Sequence, residues 1–457
     1  MNMNNILYND LPLIVYFSLF FMFIRRHPYY FVLFFYLFMQ QVKNILSNYY
    51  VNINAPIFMR EVEKYSVNDG SLLLLVILYI VAFLSIYLVY KYMFKYRIKN
   101  LQISFLQSKN TKLFVYLFVY LTLIIVIILI IHILSYNTPL FNPHINKNNY
   151  WTDYALIPQI KFLSSQLNLL LFIIGFFYAK QTLFLQNKYV SKFIYYLILI
   201  LSILYYVLMK QKFGGPLLML FSFFLPYLLL GLIYKKIDLK KLLTYMFIMI
   251  IVLSITVYGY FYMRFGTDAG KMILERIFSL QSEIWETTYI YLSNNILPFN
   301  KNEFIRELSV LLGFSNGFTG MQYVMSKVME PDYFHFFINI HINLSSAYPS
   351  YLFYLFEDPM LELPLIILIN FILYSIYIFL GFKVLENLLQ NKILVSGLYL
   401  KLFFSFIAII GQVYLDSIFT FKEILFIILI LLLESDFFKM KNKKKGEYEN
   451  IIYKRNK

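Results

Sequence analysis

SLLLLVILYIVAFLSIYLVYKY, Ser71 to Tyr92, runs from Ser71 to Tyr90 without a charge before Lys91 interrupts it. A helix crossing a hydrocarbon core of roughly 30 Å needs about 20 such residues, because every backbone N–H and C=O must be satisfied inside the segment. Outward from this stretch the same pattern recurs, giving eleven windows: 6–24, 29–47, 71–92, 113–135, 162–179, 193–209, 216–234, 242–262, 363–384, 394–414 and 418–433. The expected fold is an all-α polytopic membrane protein of about eleven transmembrane helices. The weakest windows are the first, with Asp10; the second, with Gln40, Gln41 and Lys43; and the last, with Lys422 and Glu423.

Composition agrees. Of 457 residues, 60% are hydrophobic, 21% aromatic and only 14% charged, and mean hydropathy is +0.66, a chain whose solvent is mostly lipid. The net charge of +16 follows from topology and contact with anionic headgroups rather than from nucleic-acid binding. With no cysteine, a disulfide-stapled exterior, thiolate metal sites and a thiol nucleophile are excluded. The N-terminal run has neither the basic start nor the small-residue cleavage site of a secretory signal, so none is expected.

Lys and Arg mark the cytoplasmic loops of membrane proteins. Arg25 and Arg26, the cluster from Lys91 to Lys112, Lys180 to Lys192, Lys235 to Lys241 and the tail from Lys439 fall on one side when the eleven windows alternate. The N-terminus and the segment Met263 to Glu362 fall on the other. That segment divides the chain into a first block at 1–262, an external helical loop at 263–362, a closing block at 363–433 and a basic tail at 434–457. It holds eleven of the 24 carboxylates against six Lys or Arg.

Within the loop, Met272, Ile273, Ile277, Leu280, Ile284, Thr288 and Tyr291 recur at helical spacing, predicting an amphipathic helix at the outer interface with Glu283 and Glu286 on its solvated face. Glu303 to Leu312 and Met321 to Val328 predict two further helices. Tyr333 to Phe356, aromatic yet carrying His335, Asn339, His341 and Asn343, reads as a re-entrant or cavity-lining segment.

No Walker phosphate loop, H-E-x-x-H, EF-hand loop or G-x-S-x-G is present. What remains is a set of cations and imidazoles near the outer boundary: Lys210, Lys212, Arg264, Arg276, His335 and His341. Fixed positive donors there suit a diphosphate on a lipid carrier. Each also has a plainer reading. The lysines serve as snorkelling anchors, Arg264 as an interfacial arginine, and the histidines as packed, hydrogen-bonded rings.

The layout resembles the Wzy-type polymerases of O-antigen and capsule repeat units, and two patches carry the resemblance. One is Lys212-Phe213-Gly214-Gly215-Pro216 at the head of a span. The other is Asn343-Leu344-Ser345-Ser346-Ala347-Tyr348-Pro349, running into Glu357-Asp358 before a late span. The resemblance implies a multi-pass protein of the bacterial cytoplasmic membrane. Such a protein transfers a growing glycan from undecaprenyl diphosphate to a lipid-linked repeat unit, with no cofactor, metal or nucleotide sugar. Membrane lipid surrounds it, and a chain-length regulator and a flippase are the protein partners it implies.

Under that reading Arg264 and Lys212 hold the diphosphate, Arg276 contacts a second phosphate or the carrier, and Lys210 and Asn343 are further substrate-binding residues. His335 or His341 deprotonates the acceptor hydroxyl, while Trp285 and Tyr348 contact sugar. The alternatives are a polyprenyl-phosphate glycosyltransferase using Glu61 and Glu63, an O-antigen ligase, and a flippase for lipid-linked oligosaccharide.

Overall fold

The structure is a computed structural model that describes residues 6–67, 70–105, 112–135, 137–142, 144–145, 150–184, 190–210, 214–238, 240, 244, 251, 254–255, 258–259, 261–262, 266–294, 296, 303–339, 348–356, 358–359, 361–415 and 421–434. It is built from helices. Among the described residues seven are long and apolar enough to cross a membrane: Leu7–Arg26, Ser71–Leu101, Leu113–Ser135, Pro158–Leu183, Gly215–Ile233, Leu363–Leu389 and Ile393–Gln412.

The other four windows differ from expectation for identifiable reasons. The second is broken at Phe34 into α2 (Pro28–Leu33) and α3 (Phe35–Ile53), and α3 carries too many amides to count as an apolar span. The sixth and eleventh are helices of 17 and 14 residues, Lys192–Leu208 and Phe421–Glu434. Most of the eighth, 242–262, lies outside the described residues. One pairing departs from an all-helical fold: β1 (Phe58–Met59) and β2 (Lys64–Tyr65) form a short antiparallel ladder with Phe58 opposite Tyr65.

Helix α1 (Leu11–Arg26) and helix α4 (Ser71–Val89) pack together, and α4 runs through a π-helical turn at Tyr90–Phe94 into α5 (Lys95–Phe105). The closing helix α16 (Leu363–Leu389) packs on α4. Elsewhere, α6 (Lys112–Ser135) precedes α7 (Lys161–Leu183), which lies close against α9 (Gly214–Ile233); α8 (Lys192–Leu208) lies between them in sequence. Their approach depends on Gly175, where an added Cβ would sit 2.0 Å from the Phe223 carbonyl oxygen. Without a hydrophobic drive between helices in lipid, close backbone approach at small residues supplies the attraction.

The bundle has two chemically distinct ends. At one, Asp10 accepts from the Tyr49 hydroxyl and Asn9 from Asn52, and Ser71 opens α4; the inserted segment sits here. At the other, Arg25 and Arg26 end α1. There the Tyr30 ring packs on Tyr90 and Phe382, and Arg97 lies 3.7 Å from the buried carboxylate of Glu386.

The insert does not hold one continuous helix from 272 to 291. It divides into α10 (Ala269–Leu274) with a π-helical turn at Glu275–Ser279, α11 (Glu283–Ser293), α12 (Glu303–Leu311), α13 (Gly320–Val328), α14 (Pro331–Asn339) and the short α15 (Ser350–Phe353). A turn at Gln281 and Ser282 interrupts the apolar periodicity, which lets α11 lie against the bundle rather than along its surface. The short helices expected at 303–312 and 321–328 are present. Where α13 begins, Gly320, at φ 54°, touches the end of α17 (Ile393–Gln412): a Cβ there would meet the Val413 carbonyl oxygen at 2.1 Å, and the Met321 N–H donates to that oxygen. A left-handed backbone at such close range suits only glycine.

Candidate functional site

The site grows from one face of α3. Gln41, Asn44, Asn48 and Asn52 recur at three- and four-residue steps and all point inward, where a buried amide must find partners or cost free energy. Gln41 accepts from the Tyr16 hydroxyl at 2.8 Å and donates to the Tyr374 hydroxyl at 3.3 Å. Asn44 donates to the Tyr79 hydroxyl at 2.7 Å. Asn48 reaches the insert, donating to Glu286 Oε1 at 2.6 Å, and Ser71 donates to the same oxygen at 2.9 Å. One polar stripe therefore ties α1, α4, α16 and α11 together.

Three more contacts fasten the first half of the insert. Trp285 Nε1 donates to the Ser71 carbonyl at 3.1 Å, and the Ser47 hydroxyl donates to the Phe278 carbonyl at 2.8 Å. The backbone N–H of Glu61 donates to Glu283 Oε2 at 2.9 Å. Glu283 is 1% exposed and Glu286 is fully buried, which corrects their assignment to a solvated face. Burial pushes the Glu283 carboxyl up to about 7, against the opposing pull of the Glu61 N–H.

Because Glu283 holds the Glu61 backbone, the turn after β1 is fixed against the π-helical turn of the insert. Between them opens a cleft of about 370 Å³ lined by Arg60, Glu61, Met272, Glu275, Arg276, Leu280, Tyr333, Phe336 and Phe337. Two guanidinium groups, two carboxylates and three aromatic rings thus meet in one open cavity. The Arg276 guanidinium also lies over the Phe261 ring at 5.5 Å, a contact that holds its charge without neutralising it.

The second half of the insert has its own charged centre. Arg306 pairs with Glu303 and, at 3.2 Å, with Glu307, and its guanidinium covers the Tyr323 ring at 4.2 Å. Lys327 lies 3.7 Å from Glu303. Burial raises the Glu307 carboxyl to about 7, with Arg306 drawing it down. Both carboxylates are buried, and neither lines the cleft.

Of the residues selected from sequence, Arg276 and, from the glycosyltransferase alternative, Glu61 line the cleft. His335 is exposed on α14, the helix that supplies Tyr333, Phe336 and Phe337, but it does not line the cavity itself. Lys210 donates to the Asn142 carbonyl at 2.8 Å and is tied to the loop after α6. Trp285 and Tyr348, sugar contacts by resemblance, are instead buried rings, the first donating to Ser71 and the second hydrogen-bonded to Asn370. Arg264, Lys212, His341 and Asn343 lie outside the described residues. The re-entrant run expected from Tyr333 begins as the largely exposed α14 and ends at the buried α15, with 340–347 outside the described residues.

Sequence reasoning overlooked Arg60, Glu275 and the α3 stripe. The stripe had a signal, since amides at 41, 44, 48 and 52 share one helical face. Arg60 had none, being a lone cation in a loop. Among the described residues no group of three His, Cys, Asp or Glu is placed to hold a metal ion.

A model of a family of unknown function (DUF6418) matches residues 315–427, about a quarter of the chain, covering α13 to α17 and the start of α18 (Phe421–Glu434) but not the arginines of the cleft. No curated protein and no solved structure matches the chain.

Proposed function

We propose that the chain is a glycosyltransferase of the polysaccharide repeat-unit polymerase kind, extending a glycan carried on undecaprenyl diphosphate at the outer face of a bacterial cytoplasmic membrane. The observation that carries this reading is the cleft in which Arg60 and Arg276 share one cavity with three aromatic rings and Glu61. Paired guanidinium groups match phosphate oxygens bidentately. Aromatic faces beside them suit the C–H faces of sugar rings.

In the reaction an acceptor hydroxyl attacks the anomeric carbon of the donor glycan. The new glycosidic bond forms as the bond from that carbon to the diphosphate oxygen breaks, and polyprenyl diphosphate departs with the electron pair. The hydroxyl proton passes to Glu61, which takes the role given from sequence to His335 or His341 because it lines the cleft. Arg60 and Arg276 offset charge developing on the leaving oxygen, an effect worth about 10²-fold or more per donor. The buried Glu283 positions Glu61 through its backbone N–H. A polyprenyl-phosphate glycosyltransferase with Glu61 as base is the second reading, and the same residue favours it.

The test is deletion of the gene in its host, with surface polysaccharide run on a gel beside strains complemented with wild type, Arg276→Ala and the Arg60→Ala/Arg276→Ala double variant. Collapse of the ladder to one repeat unit, restored by wild type and not by the double variant, is expected. An unchanged ladder on deletion sinks the polymerase. Loss of surface glycan with lipid-linked polymer accumulating points instead to a ligase or flippase.

A further inference from the structure

At the end of the bundle opposite the insert, α1 and α4 diverge around a second cavity of about 410 Å³. One wall is Leu19, Met22, Phe23 and Arg26, and the other is Phe83, Ile86, Tyr87 and Tyr90 followed by Lys91 and Lys95. Both walls follow the i, i+3, i+4, i+7 spacing of a single helical face, so each presents about 10 Å of apolar surface ending in cations. His27 and Tyr30, stacked 4.8 Å apart, close the floor at the charged end.

Charge in this groove is one-sided. No Asp or Glu occurs from Leu11 to Arg26 or from Ser71 to Phe105, and none lines the cavity. The Lys91 ammonium stands over the Tyr87 and Tyr92 rings at 5.4 and 5.3 Å, which orients it and leaves its charge available. The π-helical turn at Tyr90–Phe94 falls where α4 passes from apolar wall to cations, and such turns are frequent at functional sites. Beside the groove, Phe21, Leu84 and Tyr87 are more than half exposed, as expected of surface that faces acyl chains. A cation that merely snorkels from a helix end needs no cavity beneath it.

We propose that this groove binds one anionic phospholipid, its acyl chain between Leu19, Met22, Phe83 and Ile86 and its phosphate among Arg26, Lys91 and Lys95. A basic pocket between transmembrane helices is the setting in which lipid headgroups are recognised. A free anion would gain nothing from the apolar walls, and a neutral lipid nothing from the cations.

The experiment uses the full chain in a neutral detergent and follows thermal unfolding as phosphatidylglycerol, phosphatidylcholine of the same acyl chains, or sodium phosphate is added. Phosphatidylglycerol should raise the midpoint at concentrations at least tenfold below those at which phosphatidylcholine does, and phosphate at the same concentration should do nothing. The Arg26→Gln/Lys91→Gln/Lys95→Gln variant should weaken the response roughly a hundredfold, taking each cation near the membrane surface to contribute about fivefold. Met22→Trp, at a half-exposed position, fills the groove and keeps every charge; it should abolish the response in a folded protein. Equal shifts with the two lipids, a shift with phosphate alone, or an unchanged response in Met22→Trp would each overturn the proposal.

Discussion

The two halves of the insert bury the same kind of residue and satisfy it by opposite means. In α11, Glu283 and Glu286 are met by neutral donors, most of them from outside the insert: the Glu61 backbone, Asn48 and Ser71, with Ser279 from the turn before the helix. In α12, Glu303 and Glu307 are met by Arg306 one turn and one residue away, with Lys327 from the next helix. The first half is thereby bound into the bundle and acts as part of it. The second half carries its own ion pairs and meets the bundle where Gly320 touches Val413 and where Tyr348 bonds Asn370. Charge at the cleft is positioned from the first half, where the buried Glu283 carboxyl accepts from the turn carrying Arg60 and Glu61.

The contrast breaks most directly at Arg306. Replacing it by Ala leaves the enclosed Glu307 without its counter-charge and Glu303 with Lys327 alone, and should lower stability by about 3–5 kcal/mol, read as a drop in thermal midpoint in detergent. A loss below about 1 kcal/mol would mean that the ion pairs do not hold the second half together. In the first half, Asn48→Ala removes one of two bundle donors to Glu286 and should lose about 1–3 kcal/mol, with the same assay as the check.

Titration sharpens the contrast. The Glu283 and Glu307 carboxyls are raised to about 7 when folded, against an unfolded value of about 4.3. The folded state then holds protons that the unfolded state releases, so stability is greatest below about pH 4.5 and falls as pH rises through about 7. Unfolding followed at pH 5 and pH 8 should show the lower midpoint at pH 8. Glu283→Gln and Glu307→Gln should each flatten part of that slope, and a slope unchanged by both would assign it to other groups. The smallest effect is expected at His335, whose exposed ring predicts a change within about 0.5 kcal/mol on substitution by Ala.

The apolar spans are plain in the sequence because lipid imposes one rule on every residue of a segment. The windows 71–92 and 363–384 are legible from hydropathy alone, and both fall within the seven long apolar helices. The rule fails at α3, where Gln41, Asn44, Asn48 and Asn52 lower the hydropathy and yet face inward. A scale that averages around the helix cannot distinguish an amide turned to lipid from one turned to a neighbour. Helical periodicity likewise places Glu283 and Glu286 in water, since it sees nothing of donors at residues 61, 71 and 48, more than two hundred positions away. The cleft is legible only as the separate residues Glu61 and Arg276, because its walls come from three segments distant in sequence. The resemblance to repeat-unit polymerases draws attention to patches around Lys212 and Asn343, while the cavity lies between segments that those patches do not include.

The bond between Asn48 and Glu286 spans 238 residues, and this gives the molecule a calendar. At ribosomal speeds of about 5–20 residues per second, α3 emerges roughly 10–50 s before its partner in α11 exists. For that interval Asn48 and Asn52 must be sheltered by Ser71, by Asn9 or by the insertion machinery, since an unmet amide in an apolar setting is costly. A chain cut short before residue 286 would lack the carboxylate that Asn48 and Ser71 share, while Gln41, Asn44 and Asn52 would keep the partners encoded before it.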